Sequence, residues 1–218
     1  PHSPEAAFIA SQNCPIVEVS EFNPDESVPI VLPDWREAGN LATAHFLRLG
    51  IRQITASHAI DSTRDLAIAL GVRDTTVKGG GTYWRFGADL NQRPRHELAQ
   101  FFENELSQSS GQIGIIACHA YIAIAVITAC KRLHLRIPQD VAIITFASDA
   151  ASIPASLVPL SEVSMNNFGV GYLAAKTLHN KMNGKEVPLV QLVQPNGVRV
   201  RQSSTLTAVR DPLVRQIS

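Results

Sequence analysis

The residues with the most reactive side chains in this sequence are scattered and match no catalytic or metal-binding pattern. The sequence has three cysteines, Cys14, Cys118 and Cys130, and seven histidines. The cysteines form no CxxC pair, and Cys118 and His119 are adjacent at a predicted strand end, where successive side chains point apart. No HExxH, GxSxG or paired-carboxylate motif is present. We therefore expect a protein that is not an enzyme and that holds no metal and no cofactor.

Two further features have structural rather than catalytic explanations. His45 lies on the apolar stripe of a predicted helix, so we expect a hydrogen-bonded core histidine instead of a metal ligand. The glycine run 79–81 has no GxGxxG or Walker spacing around it, which indicates a loop and not a phosphate-binding turn.

Composition and charge narrow the class of protein. The 218 residues include 19 Lys plus Arg and 19 Asp plus Glu, so the net charge is zero and a main DNA-binding face is not expected. The 45% hydrophobic content is typical of a folded domain, and no run of about 18 apolar residues predicts a membrane span. The sparse, odd cysteine count and the absence of a leader pattern at the start favour a cytoplasmic protein.

Short Ile- and Val-rich runs alternate with helical patterns, which predicts an α/β fold with parallel strands covered on both faces. The predicted strands are Ile16–Ser20, Gln53–Ser57, Ile113–Cys118 and Val141–Phe146, followed by two late extended segments, Leu189–Val193 and Val198–Gln202. The predicted helices are Trp35–Leu49, Pro94–Ser107, Ala120–His134 and Phe168–Met182.

Three stretches resemble the ligand-binding core of the LacI/GalR family of sugar-responsive regulators. The first, 30–50, is similar to that family's strand, acidic residue, helix and Leu-Gly corner. The second, 133–146, resembles its helix, "VPxDV" turn and strand into the cleft, and the third, 159–176, resembles its crossover segment and returning helix. The resemblance implies a periplasmic-binding-protein-like fold of type I, with two lobes that each contain a parallel sheet flanked by helices.

A narrower resemblance concerns the end of the chain. Gly197–Ser204 followed by Thr207–Pro212 is similar to the xylose-operon activator subgroup, as are Ala129–His134 and Thr63–Ala67. That subgroup joins a sugar-binding core to a C-terminal helix-turn-helix domain of the arabinose-regulator type. The resemblance implies a homodimeric transcriptional regulator that binds a sugar effector. It also implies that operator DNA is bound through a domain outside this chain, and that closure of the two lobes around the effector controls this DNA binding.

The resemblance also implies a division of the chain. We expect an effector-binding core over 1–205, with one lobe at about 1–50 plus 165–183 and the other at about 51–160 plus 186–205. Residues 206–218 would begin a linker to a DNA-binding domain, because Asp211-Pro212 is typical of a helix start. The family has about two further βα units before the strand predicted at 16–20, so the first lobe is expected to lack its N-terminal units.

Sugar binding needs polar partners such as Asp, Asn and Arg beside an aromatic wall, at the carboxyl ends of parallel strands. Arg64 is the strongest candidate, because it follows the predicted strand Gln53–Ser57 at the first turn of a helix, where the family places a ligand-binding arginine. The alternative is a surface arginine near a helix cap. Asp34 is either a ligand residue or a helix cap, and Trp84 is either the stacking wall or a packing residue. The full candidate set is Arg64, Asp34, Trp84, His119, Ser148 and Asp149.

Two departures from the family pattern bear on the effector. Ala120 and Ala147 stand where the family commonly has acidic residues that hold sugar hydroxyls, and the resemblance offers Asp149 as a candidate shifted substitute for one of them. Losing an acceptor costs about 1–3 kcal/mol per buried hydroxyl, which predicts weak xylose binding. A solute-binding protein of a sugar transport system is the alternative function on the same fold, which the missing leader pattern and the regulator-like tail disfavour.

Overall fold

The structure is a computed structural model that describes residues 14–19, 27–57, 63–84, 94–146 and 158–205. The chain divides into two compact units. The smaller unit contains Pro1–Asp34 and Asn166–Gln194, and the larger contains Trp35–Met165 and Pro195–Ser218. Ala147, Ser148 and Asp149, together with the predicted linker 206–218, lie outside the described residues.

The larger unit is built on a six-stranded sheet. Its strands are β2 (Gln53–Ser57), β3 (Thr82–Tyr83), β4 (Ile113–Ala117), β5 (Val141–Phe146), β6 (Ser161–Ser164) and β8 (Gly197–Arg199). The strand order is β3-β2-β4-β5-β6-β8, and every neighbouring pair is parallel except β6 and β8, which run antiparallel. The predictions for β2, β4 and β5 are confirmed, with β4 one residue shorter than expected.

Helices cover both faces of this sheet, as the apolar strands require. The helices α1 (Trp35–Arg48) and α2 (Thr63–Lys78) pack with one core cluster, and α3 (Leu98–Ser107) and α4 (Ala120–Arg132) pack with another. Alternate side chains of β4 and β5 enter the two clusters: Ile115 and Ile143 face α3 and α4, whereas Ile116 and Ile144 face α1 and α2. The predicted α/β fold class is confirmed.

Two glycines allow α1 and α2 to approach each other closely. A Cβ atom at Gly71 would collide with the carbonyl oxygen of Arg36, and one at Gly39 would collide with the carbonyl oxygen of Ile68. Backbone oxygens cannot move aside as the end of a flexible side chain can. These glycines therefore fix the separation of the two helices.

The smaller unit contains a two-stranded parallel sheet and one helix. Its strands are β1 (Ile30–Pro33) and β7 (Val190–Val193), and its helix is α5 (Asn167–Met182). The predicted strand at 16–20 was too long, because among its described residues only Glu18 forms a bridge, to Ile30. Val31 of β1 is fully buried, and Gln191 of β7 donates a hydrogen bond to Thr177 of α5.

Other differences from the expected elements have local causes. The segment predicted as extended over 198–202 ends as a strand at Arg199, and Gln202–Ser204 forms a 3-10 turn. Side-chain hydrogen bonds of Ser203 and Ser204 hold that turn. In the division into two units, the α1 region belongs to the larger unit. Within the described residues, no helix has the length and apolar character needed to cross a membrane.

His45 of α1 is a hydrogen-bonded core histidine, as predicted. It is 7% exposed, and its Nε2 lies 2.9 Å from Ser204 Oγ and 3.2 Å from the Ser204 carbonyl oxygen. Burial lowers the pKa of His45 below 6.5, against the opposing effect of the hydrogen bond to Ser204. The neighbouring charge of Arg48 lowers this pKa further.

We expect the free energy of unfolding to decrease as the pH falls through 6.5, the ordinary pKa of the imidazole. Below this pH the imidazole is protonated in the unfolded chain but still neutral in the folded one, so protonation favours unfolding. The contribution of His45 to the free energy of unfolding is therefore complete above pH 6.5 and is lost as the pH falls towards its lower pKa in the folded state. Urea unfolding of wild type and His45→Asn over this range measures the effect, and His96→Asn is the control because the His96 side chain is 81% exposed. Equal pH dependence in wild type and His45→Asn would contradict the prediction.

Candidate functional site

Four elements of the larger unit bring polar and aromatic residues together at the carboxyl-end edge of its sheet. Arg64 lies in the first turn of α2, which follows β2, and His119 follows β4. Phe146 ends β5, and Trp35 begins α1. In open parallel sheets, ligands bind at this edge because loops and helix starts converge there. We call Trp35, Arg64, Asp65, His119 and Phe146 the Arg64 cluster.

Arg64 is held by a hydrogen bond and by aromatic contacts. Its Nη2 donates to the carbonyl oxygen of Cys118 at 2.7 Å, and its guanidinium carbon lies 4.5 Å from the ring centroid of Trp35. The same carbon is 6.0 Å from the ring of Phe146. The side chain is 15% exposed. A cation–π contact orients a guanidinium group and leaves its N–H groups available for hydrogen bonds. Arg64 is therefore a partly buried, oriented side chain and not an exposed surface arginine.

His119 forms a hydrogen-bond contact with a carboxylate that was not among the sequence candidates. Its Nε2 lies 3.0 Å from Asp65 Oδ2, and its ring stacks on that of Tyr121 at 5.3 Å. Asp65 is fully buried, and its other oxygen lies 3.9 Å from Arg64 Nε. One carboxylate therefore holds the histidine and adjoins the arginine. The sequence signal for it was its place beside Arg64 in the first turn of a helix, where acidic residues are favoured.

Trp35 is the larger of two adjoining aromatic residues in the cluster, and the sequence predicted it only as the start of a helix. Its ring meets Phe146 edge-on, with centroids 5.8 Å apart. Its indole Nε1 is buried and has no hydrogen-bond partner among the described residues. Buried donors without partners are rare in folded proteins. The sequence feature that could have identified Trp35 as a site residue is its position directly after Asp34 at the end of a strand.

The remaining sequence candidates are Asp34, Trp84, Ser148 and Asp149. Asp34 lies in the smaller unit, where its Oδ2 accepts a hydrogen bond from Gln194 Nε2 at 2.9 Å. Trp84 packs against the core cluster of α3 and α4, on the opposite face of the sheet from Arg64. Trp84 also lines a surface cleft with residues of β2 and of the α3 end. Ser148 and Asp149 lie outside the described residues.

The cluster is suited to binding rather than to nucleophilic chemistry. Cys118 is fully buried, and its carbonyl is used by Arg64. Burial raises the pKa of the Cys130 thiol to about 12, which leaves it protonated and unreactive near neutral pH. Among the described residues, no group of three or more His, Cys, Asp or Glu side chains is arranged to hold a metal ion. What remains is a charged hydrogen-bond donor beside an aromatic wall, which is the chemistry of polar ligand recognition.

Comparison with curated proteins identifies transcriptional regulators as relatives. The chain is 34% identical to the xylose operon regulatory protein of Escherichia coli K12 over 106 residues. This aligned segment covers 48% of this chain and 27% of that protein. It is 25% identical to the xylose operon regulatory protein of Haemophilus influenzae over 217 residues, 99% of this chain and 51% of that protein. The chain therefore spans about half the length, or less, of these relatives.

Comparison with solved structures supports the fold. A structure of a xylose-binding transcription activator matches 99% of this chain and 59% of its own chain, with a TM-score of 0.74 and 24% identity. A LacI family transcriptional regulator from Enterococcus faecium with bound ribose matches with a TM-score of 0.71 and 17% identity, over 94% and 76% of the two chains. The model of the periplasmic binding protein-like domain matches residues 43–204. The chain belongs to this family of periplasmic binding protein-like domains, and its relatives are transcriptional regulators.

Proposed function

We propose that this chain is the effector-binding domain of a transcriptional regulator whose effector is a sugar bound at the Arg64 cluster. The observation that carries the proposal is Arg64 itself, pinned between the Cys118 carbonyl and the ring of Trp35 at the ligand-binding edge of the sheet. Guanidinium groups bind pairs of oxygen atoms, and indole rings cover the carbon face of a sugar. The regulator relatives favour this function over that of a transport-linked binding protein.

Each residue of the cluster has a distinct part in this proposal. Arg64 donates hydrogen bonds to the sugar, and His119 supplies a further polar contact from the end of β4. Asp65 is a positioning residue, because it is buried beneath both and holds their side chains in place. Trp35 forms an apolar wall, and Trp84, for which the sequence offers either a stacking wall or a packing residue, packs against the core cluster of α3 and α4. Asp34, Ser148 and Asp149 stay as proposed ligand residues that the Arg64 cluster does not include.

The finer parts of the proposal concern the whole regulator. We propose a C-terminal helix-turn-helix domain of the arabinose-regulator type, joined through residues 206–218, and a homodimer that acts in the cytoplasm. The curated relatives are transcriptional regulators, which supports operator DNA as the partner of the whole protein. The lobe boundaries given above also stay a proposal.

Thermal denaturation of the 218-residue chain with a panel of pentoses and hexoses tests the proposed function. A bound effector at one hundred times its dissociation constant stabilises the folded state by about 2.7 kcal/mol, which is an easily measured rise in Tm. Stabilisation by at least one sugar supports the proposal. Absence of stabilisation by every sugar, in a chain with native circular dichroism, would overturn it.

We expect D-xylose to bind this chain poorly. Ala120 opens α4 without any polar side-chain atom, so a sugar hydroxyl buried there lacks an acceptor, at a cost of about 1–3 kcal/mol. Calorimetry is expected to give a dissociation constant well above the micromolar range. Ala120→Asp is expected to strengthen binding about tenfold, since the carboxylate restores an acceptor at a helix start. Micromolar affinity of the unaltered chain would show that other groups supply the acceptors.

We expect this chain alone not to bind operator DNA, although the whole gene product does. The net charge is zero, and several exposed arginines are already paired with carboxylates, among them Arg36 with Asp74 and Arg132 with Glu103. Specific binding needs several phosphate contacts and a helix in the major groove. A gel-shift assay on the gene's own upstream DNA, at physiological salt, compares the two proteins. Specific retardation by the chain alone would contradict this prediction.

A further inference from the structure

The segment Arg201–Ser204, which we call the latch, is fastened to the larger unit by side-chain hydrogen bonds instead of by strand pairing. It follows β8, which pairs with β6 only over Gly197–Arg199. Ser203 and Ser204 are 0% and 1% exposed, so their polar groups are cut off from water. Buried polar groups must then be satisfied within the protein, and the latch satisfies them through three separate attachments.

Ser203 makes the first attachment, to the central strand β5. Its Oγ donates to the carbonyl oxygen of Ile143 at 2.6 Å and accepts from the backbone N–H of Ser161 at 2.8 Å. Its own backbone N–H donates to Pro159 at 3.0 Å. The Ser203 hydroxyl therefore bridges β5 and β6.

Ser204 makes the second attachment, to α1. Ser204 Oγ donates to Ser161 Oγ at 2.7 Å, which in turn donates to the Arg201 carbonyl at 3.0 Å. Because the Ser204 hydroxyl proton is used in this way, the contact with His45 Nε2 at 2.9 Å is donated by the histidine. The result is a directed chain of hydrogen bonds from His45 through two serines back to the latch backbone.

Arg201 makes the third attachment, to a buried carboxylate. Its Nη2 donates to Glu162 Oε1 at 2.8 Å and its Nη1 donates to the Leu160 carbonyl at 2.8 Å. The Glu162 side chain is 4% exposed, and Arg199 also donates to it at 3.1 Å. Removing Arg201 would leave the buried Glu162 carboxylate with Arg199 as its remaining arginine partner, which is costly for a buried charge.

Two of the elements that hold the latch also carry residues of the Arg64 cluster. Helix α1 begins with Trp35, under the Arg64 guanidinium, and carries His45 about 15 Å further along its axis. Strand β5 ends with Phe146, beside both Trp35 and Arg64, and its Ile143 carbonyl lies about 10 Å back along the strand. A rigid helix and a fully buried central strand transmit small displacements because a packed core is not freely deformable.

We propose that the latch is coupled to the Arg64 cluster through α1 and β5, so that a change at Arg64 or Trp35 alters the attachment of Arg201–Ser204. The inference rests on the proposed function in taking the cluster as the place where the effector binds. Coupling between two sites is reciprocal, so loosening the latch must change the surroundings of Trp35 by the same linkage. Both directions are measurable without any ligand, and failure of the coupling is thus distinguishable from failure of the proposed function.

Fluorescence of Trp35 tests the direction from the latch to the cluster. The chain has two tryptophans, so the Trp84→Phe background leaves Trp35 as the reporter. In that background, Ser204→Ala is expected to shift the Trp35 emission maximum and to raise its acrylamide quenching constant. Ser109→Ala is the matched control, because Ser109 Oγ also donates one hydrogen bond, to Leu106, at the end of α3. Ser204→Thr keeps the hydroxyl and is expected to restore the parent signal.

Hydrogen exchange tests the direction from the cluster to the latch. Arg64→Ala is expected to accelerate exchange of the Ser203 and Ser204 amides about tenfold, the equivalent of one net hydrogen bond. Arg52→Ala is the control, because Arg52 donates one hydrogen bond to Gly79 away from the cluster. The amides of β4 are measured in parallel to subtract any global loss of stability.

Both results are needed to sustain the coupling. Identical Trp35 fluorescence in the folded Ser204→Ala and Ser109→Ala chains would overturn it. Equal exchange at the latch in Arg64→Ala and Arg52→Ala would overturn it as well, because the cluster would then have no influence on the segment.

Discussion

Replacing Arg64 with alanine is expected to abolish stabilisation by the effector while leaving the domain folded. The change removes a charged donor that is worth about 1.5–3 kcal/mol in a hydrogen bond, which corresponds to a loss of roughly 10- to 150-fold in affinity. It also removes the group that stacks on Trp35 and bonds the Cys118 carbonyl. Thermal shift with the sugars that stabilise the wild-type chain measures the loss.

Two variants make the Arg64 result specific. Arg52→Ala removes an arginine whose hydrogen bond to Gly79 lies on the surface, so its effector response is expected to match wild type. Arg64→Lys keeps the charge but loses the planar fork and the stacking surface, and is expected to bind more weakly than wild type. If Arg64→Ala retains the full thermal shift, the sugar does not contact Arg64 and the proposed site is wrong.

The second large effect is expected at Gly71, where alanine would push α1 and α2 apart. The new Cβ atom meets the Arg36 carbonyl oxygen, and neither backbone can yield without moving its helix. Overpacking typically costs 1–3 kcal/mol and outweighs the gain of about 1 kcal/mol in helix propensity. We expect a net decrease in the free energy of unfolding. Since the two helices carry Trp35 and Arg64, effector affinity is expected to fall as well.

Gly171 supplies the matched control for this substitution. It lies in α5, is exposed, and a Cβ atom there would meet nothing within 4 Å. Gly171→Ala is therefore expected to raise stability by roughly 0.5–1 kcal/mol through helix propensity alone. Urea unfolding of the two variants beside wild type measures both effects. A Gly71→Ala chain as stable as Gly171→Ala would show that α1 and α2 separate freely.

Hydrophobic periodicity was sufficient to predict most of the fold. Strands such as Val141–Phe146 are predictable because parallel strands buried on both faces must be apolar throughout. Helix α2 is harder to predict, since Gly71 and the pair Thr75-Thr76 lower its propensity and packing of its glycine against α1 compensates. The strand predicted at 16–20 is instead longer than the pairing observed there, because an apolar run does not by itself provide a neighbouring strand to pair with.

The sequence by itself also determined which residue to test first, because Arg64 follows a strand at the start of a helix, where the family that the chain resembles places a ligand-binding arginine. Tertiary structure alone decided its companions. Nothing in the sequence marks Asp65, Trp35 or the serines of the latch as special. Their contacts with His119, Arg64 and Ser161 form only when segments that are distant in the sequence pack together. Trp84 illustrates the limit, since the face of the sheet that a loop side chain meets depends on packing, which no local pattern encodes.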